Sequence, residues 1–236
     1  MYKVSVIIPT YNAQAHKLSR SVTSALGQSY ANMEIIVVDD GSSKAFSGLD
    51  SLMEFKGKPI TWHRLEENSG VAFARNRGAD LAQGDFLAFL DAGDWWDSEK
   101  LKEQIAAIKS SDNVGLVYTS SMIHDARGVR LLEASVGENA YLQLLVSQPI
   151  SGSASSVVIP KDVFKNIGGF FEKYDIPEDR DLWLRVAKQH NVLPVKKTLV
   201  HLEVDQNGRS MDPNKKRITY KRFLERHRVA IQENGL

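Results

Sequence analysis

The chain has 236 residues, 42% of them hydrophobic, and 30 Lys and Arg against 29 Asp and Glu give it a formal net charge of +1. That is apolar content enough for one substantial core, while the even charge carries no footprint of a nucleic-acid binder, so no nucleic-acid partner is expected. Cysteine is absent, which excludes disulfides, thiolate metal sites and cysteine nucleophiles.

In chain order, "KVSVIIP" opens the sequence as an apolar run too short for a signal-peptide core and interrupted by Pro9. Val4 to Pro9, Glu34 to Val38, Ile60 to Leu65 and Phe86 to Leu90 read as strands. They are rich in Val, Ile and Phe without clean alternation, as in a parallel sheet covered on both faces. Helical spacing links Leu18, Val22, Ala25 and Leu26, and again Leu101, Ile105 and Ile108 after a cap at Asp97 or Ser98. Val71 to Ala82 is a third helix, entered through Ser69 and Gly70. Beyond it, "VGLVYTSSMI" is a fifth strand, Asn139 to Gln148 a short helix, and "ASSVVIP" a further strand. A brief helix then ends at Gly168-Gly169, Pro177 opens a helix through Gln189, and "NVLPVKKTLVHLEV" is extended.

Strands alternating with helices predict an α/β three-layer fold, a mostly parallel central sheet flanked by helices, Rossmann-like in its crossovers. No segment reaches the roughly 20 apolar residues that span a bilayer, so a cytoplasmic protein is expected, at most peripheral on the inner face of the membrane. Residues 206–236 carry eight Lys or Arg against three acids, a balance of +5 that leaves −4 for the rest. This basic tail reads as a helix packed on the body, or one bearing on anionic lipid. The chain is therefore read as one domain over 1–205 and a tail over 206–236.

In an open parallel sheet the ligand crevice lies beyond the carboxyl ends of the strands. Here those ends carry "PTYN" (Pro9 to Asn12), "DDGS" (Asp39 to Ser42) and "LDAGD" (Leu90 to Asp94). Singly each is a turn or a cap; converging on one edge, the acids await a ligand or a metal. The G-x-G-x-x-G, P-loop, H-E-x-x-H and G-x-S-x-G patterns are missing, which speaks against dehydrogenases, P-loop proteins, zincins and serine hydrolases. "SGSASS" (Ser151 to Ser156) reads as loop and strand.

Taken in order, "VSVIIPTYN", "EIIVVDDGS", "NSGVAFARNRGADLAQGDFLAFLDAGD" and "GGFFEKYDIPEDRDLWLRV" resemble the family 2 inverting glycosyltransferases, over residues 3 to 190. The resemblance implies the GT-A nucleotide-diphospho-sugar transferase fold, with residues 1–110 as the nucleotide-sugar half and 111–205 as the acceptor half. It implies that Pro9 and Tyr11 line a base pocket, that Asp39 shapes the turn and that Asp40 accepts from a nucleobase N–H. Arg75 would pair with diphosphate or, equally, with a local acid. "LDAGD" occupies the D-x-D position, so Asp91 and Asp94 would hold Mn²⁺ or Mg²⁺ on the donor phosphates. The usual pattern there is L-D-x-D-D, and its second acid is Gly93 in this chain. The acids would then need no basic partner, because the cation arrives with the donor.

By the same resemblance Asp179 is the base, Glu178 orients the acceptor and Asp181 is solvated or bonded to Arg185. Trp95 and Trp96 either wall the sugar site or pack. His201 and "DQNGRSMD" are weak candidates for a further ligand. No Q-x-x-R-W follows Asp179, so the implied reaction adds one sugar per encounter from a nucleotide sugar, a UDP-sugar by preference, to a glycan or lipid-linked saccharide acceptor in bacterial cell-surface polysaccharide assembly. The rival readings are a non-catalytic nucleotide-sugar-binding relative, suggested by Gly93, and a nucleotidyltransferase on a similar sheet.

Overall fold

The computed structural model describes residues 2–42, 60–135, 139–148, 150, 153–172, 176–204 and 213–236. Its first half runs β1 (Val4–Thr10), α1 (Ala15–Leu26), β2 (Met33–Asp39), β3 (Ile60–Arg64), α2 (Val71–Leu81), β4 (Phe86–Phe89), β5 (Trp95–Trp96) and α3 (Lys100–Lys109). Then follow β6 (Val114–Asp125), β7 (Gly128–Leu132), α4 (Ala140–Val146), a 3₁₀ turn (Ala154–Ser156), β8 (Val157–Pro160) and α5 (Lys161–Asn166). The remainder is α6 (Glu178–Ala187), β9 (Asn191–Glu203), α7 (Pro213–Arg226) and α8 (Arg228–Glu233).

The strands form one sheet in the order β3-β2-β1-β4-β8-β6-β9-β5, with β7 paired to β6. From β3 to β4 every pairing is parallel. Past β4 the sheet is mixed: β8 runs antiparallel to both β4 and β6, β9 returns parallel to β6, and β5 is antiparallel to β9. The second half of the sheet thus departs from the parallel pattern of the first.

β1 is buried along its whole length, yet its side chains divide by face, since strand side chains alternate. Val4, Val6 and Ile8 pack with Leu18 and Val22 of α1 and Leu101 and Ile105 of α3. Ile7 points the other way, into a core with Phe89, Tyr118, Phe170 and Trp183. Each face of the sheet therefore has its own core. β3, expected to be covered on both faces, is the edge strand and only half-buried.

Several ends differ from the sequence reading. Neither Asp97 nor Ser98 caps α3 through a side chain. Gln28, just past the end of α1, does that work, its amide oxygen accepting from the Leu101 N–H at 3.0 Å while its amide nitrogen donates to the Asp97 carbonyl at 2.8 Å. The tail helix breaks at His227 into α7 and α8. Phe223 is fully buried in the main core, with the Arg180 guanidinium 4.3 Å from its ring centre. Among the described residues no helix is long and apolar enough to cross a membrane.

Candidate active site

The carboxyl ends of β1, β2 and β4 open on a cavity of about 510 Å³, whose lining includes Pro9, Tyr11, Asp40, Asp91, Gly93 and Lys17. Tyr11 is half exposed at its mouth. Asp39 and Asp40 are both buried, and each fixes a different turn. Asp39 Oδ1 accepts from the Ser42 N–H at 3.1 Å and its other oxygen lies 3.2 Å from Arg64. Asp40 accepts from the N–H groups of Ser69 (2.8 Å) and Gly70 (2.9 Å) and from the Asn68 amide (3.0 Å). A carboxylate at the entry of α2 suits the unsatisfied N–H groups and positive dipole end found there. Gly41, between this pair and Ser42, has φ of 67°, and a Cβ on it would lie 2.4 Å from the Glu67 backbone. Only glycine lets the two loops approach so closely.

Arg75, from α2, joins the two halves of the site. It is 3% exposed, with one nitrogen 2.7 Å from Asp91 Oδ1 and another 2.8 Å from Glu178 Oε1. Burial would lower its pKa, but the two carboxylates outweigh that and keep the guanidinium protonated. Asp91 therefore does have a basic partner within the protein, contrary to the expectation that its charge waits for an incoming cation. Arg75 likewise meets two acids rather than an open pocket wall.

Beside Glu178 stands Asp179, at the first turn of α6. Burial and the neighbouring Glu178 charge push its carboxyl up to about 6, against the opposing pull of Arg75. Its Oδ1 accepts from the Arg180 N–H at 2.6 Å. Asp181 behaves differently. It is fully buried, and burial alone would raise its pKa. Hydrogen bonds from His227 (3.0 Å) and Arg226 (2.7 Å), with Arg185 at 2.8 Å, instead hold it at about 2. It is not solvated. One cation of the basic tail, Arg226, and the His227 ring are spent here, inside the protein.

The structure does not bring Asp91 and Asp94 onto one cation. Asp94 is completely buried, and its Oδ2 accepts from the Ser155 hydroxyl at 2.6 Å. Gly93 between them has φ of 110° and offers no donor atom from a side chain. Among the described residues no group of three or more His, Asp or Glu is arranged to hold a metal ion. A divalent cation of the Mg²⁺ or Mn²⁺ kind favours several hard oxygen ligands. Of the carboxylates lining the pocket, Asp91 is engaged by Arg75, Asp40 by the Ser69 and Gly70 N–H groups and Glu203 by Lys17 and Arg20, so the residues present do not fit the expected metal.

The tryptophans pack. Trp96 is buried, donates its ring N–H to the Ser155 carbonyl at 2.9 Å and carries the Lys100 Nζ 4.0 Å from its ring centre. Trp95 lies between Arg20, 4.0 Å from its ring centre, and the stacked ring of His201. Neither lines the cavity. His201 bonds His124 at 3.0 Å, away from the pocket lining, and "DQNGRSMD" lies outside the described residues.

Sequence reasoning missed two contributors. Ser155 donates its hydroxyl to Asp94 and accepts from the Asp91 backbone N–H at 3.0 Å, a role invisible in a small-residue run. Lys17 and Glu203 also line the cavity, 3.1 Å apart. The available signal was the spacing of Lys17, Arg20 and Ser21, which puts three polar groups on one face of α1.

Comparison with known proteins agrees with this architecture. Residues 5–154 match the profile of "Glycosyl transferase family 2". The chain is 32% identical over 191 residues to the Escherichia coli UDP-Glc:alpha-D-GlcNAc-diphosphoundecaprenol beta-1,3-glucosyltransferase WfgD, covering 81% of this chain and 72% of that one. It is 31% identical over 201 residues to the amylovoran biosynthesis glycosyltransferase AmsB of Erwinia amylovora, covering 78% of this chain and 64% of the relative. Among solved structures, S. aureus TarS 1-349 in complex with UDP-GlcNAc superposes with a TM-score of 0.71 at 22% identity, over 94% of this chain and 66% of that one. The last likeness concerns the fold. Together with the strand-end pocket, these matches make the chain a glycosyltransferase, a member of glycosyl transferase family 2 with the GT-A fold.

Proposed function

We propose that the chain transfers one sugar at a time from a nucleoside diphosphate sugar, a UDP-sugar, to a hydroxyl of a glycan or lipid-linked saccharide, with inversion at the anomeric carbon. The observation that carries this reading is the array Asp91–Arg75–Glu178–Asp179, which ties a donor-sized cavity at the strand ends to a carboxylate whose pKa is lifted by burial. The UDP-glucose and diphosphoundecaprenol in the name of the Escherichia coli relative, and the UDP-GlcNAc bound to TarS, support the donor and acceptor classes.

The bookkeeping of the step is a single displacement. The acceptor oxygen bonds to the anomeric carbon from the face opposite the leaving group, while the bond from that carbon to the β-phosphate oxygen breaks and its electron pair departs with UDP. The transition state has oxocarbenium character, as in glycoside hydrolysis. Asp179 takes the hydroxyl proton, and a base pKa near the working pH suits that transfer. Glu178 stands next to it and, held by Arg75, orients the acceptor. Asp40 accepts from the nucleobase beyond β2, with Pro9 and Tyr11 forming the walls. Because the pocket's donor set does not fit Mn²⁺ or Mg²⁺, no step passes through a metal. Assembly of a bacterial surface polysaccharide is the setting that the names of both relatives support.

The test is product analysis. The protein is incubated with a panel of UDP-sugars and undecaprenyl-diphosphate-linked saccharides, and the anomeric configuration of any product is read by NMR. A product with inverted configuration is expected; a retained configuration would overturn the single displacement. Gly93 favours a second reading, a non-catalytic nucleotide-sugar binder, for which UDP would bind but neither transfer nor donor hydrolysis would occur.

A further inference from the structure

The family pattern puts an acid where this chain has Gly93, and the surroundings of that glycine are positively charged. An ideal Cβ at Gly93 would lie 3.8 Å from Cδ and 4.0 Å from Cβ of Lys17. The Gly93 carbonyl accepts from Arg20, and its N–H donates to the Ser21 hydroxyl at 2.9 Å. One face of α1 thus grips the loop exactly where a metal-binding carboxylate is missing. With φ at 110°, the loop is itself built for glycine, so an acid could not be accommodated there without strain. Lys17 also lines the cavity, and its ammonium is 3.1 Å from Glu203, which Arg20 shares. Both cations reach the Glu203 carboxylate at the edge of the pocket. Asp91, on the other side, is already answered by Arg75.

The geometry points to Lys17 as the fixed cation that binds the donor's diphosphate, in the place where relatives with a complete acidic motif would put a divalent metal. This rests on the proposed function, since it deepens the same site. A diphosphate carries acceptor oxygens only, and an ammonium on a flexible stem offers it three donors. As the glycosidic bond breaks, the same charge would stabilise the negative charge gathering on the departing UDP.

Calorimetric titration with UDP and with uridine, in EDTA and in excess Mn²⁺, tests the inference. The wild-type protein should bind UDP at least about tenfold more tightly than uridine in EDTA, with a change of no more than about twofold when Mn²⁺ is added. Lys17→Met should lower UDP affinity toward that of uridine and leave uridine unchanged, which also reports an intact fold, and Lys17→Arg should restore most of the loss. Glu203→Gln, which removes a carboxylate that both cations reach, should strengthen UDP binding alone. UDP binding that depends on Mn²⁺, or that is unaffected by Lys17→Met, overturns the inference; if Lys17→Met does not fold, an unchanged UDP affinity in Glu203→Gln does so. Should another base be preferred, its nucleoside and diphosphate replace uridine and UDP. If no nucleoside diphosphate binds in either condition, the proposed function itself fails.

Discussion

The two halves of the site are held in different ways. On the donor side, Asp40 and Asp91 sit just beyond the buried carboxyl ends of β2 and β4, and their carboxylates are pinned by backbone N–H groups and by Arg75. On the acceptor side, Asp179 sits on a helix whose own anchor, Asp181, is satisfied by side chains from a segment 45 residues further on. A strand end inherits its position from the sheet ladder. A helix start must be fixed by whatever packs around it. The donor side should therefore tolerate distant changes, while the acceptor side should feel them.

The sharpest division between the halves comes from Asp179→Asn. Removing the base while keeping the shape should lower transfer by about 10²–10⁴-fold, with UDP affinity within about twofold. In the wild-type protein kcat/KM should rise as pH increases through about 6, where Asp179 loses its proton and becomes competent; a flat profile between pH 5 and ~7 would remove it as the base. Both are read from initial rates against pH and from calorimetry with UDP.

Asp181→Ala tests the anchor. It leaves Arg185, Arg226 and His227 without their shared carboxylate, and loss of one partner of a buried pair costs roughly 3–5 kcal/mol. Chemical denaturation should show that loss, and transfer should fall with it although Asp181 is remote from the cavity lining. Because its pKa is depressed in the folded protein, the stability it contributes is complete above the ordinary carboxylate value near 3.9 and is lost as pH falls toward about 2. The acid limb of the denaturation profile should accordingly flatten in the variant.

The smallest effect is expected behind the donor side, at Lys100. This amine is fully buried over Trp96 and bonded to Gln104 at 2.7 Å, and burial lowers its pKa well below the ordinary lysine value. Lys100→Met should raise stability by about 1 kcal/mol at neutral pH. The unfolded chain binds the extra proton, so the wild-type penalty shrinks as pH rises toward 10.5, and the gain from methionine should fade in the same direction. Thermal midpoints across pH would show it.

The same contrast explains which features the sequence disclosed. β1, β2 and β4 were legible because continuous apolar runs between helical spacings have few other uses, and Asp40 and Asp91 were legible because they terminate such runs. β3 is half-buried rather than fully covered, and nothing in Ile60 to Arg64 announces that, among the described residues, it stands at the edge of the sheet. The direction of Asp94 is decided by Ser155, 61 residues away, and the role of Trp96 by the same loop. Those contacts are tertiary, and no local spacing encodes them. Lys17 was overlooked because a lysine on a helix is ordinarily a solvated surface charge.

The docking of α7 has a consequence for how the protein is made. Two of the three side chains that reach Asp181, Arg226 and His227, belong to the tail, so a nascent chain that has already completed every pocket residue has only Arg185 of the three to hold the buried Asp181 carboxylate. Competence must wait for the last turn of α7 to emerge from the ribosome and dock. A stop codon before residue 226 should therefore loosen the helix that carries Asp179.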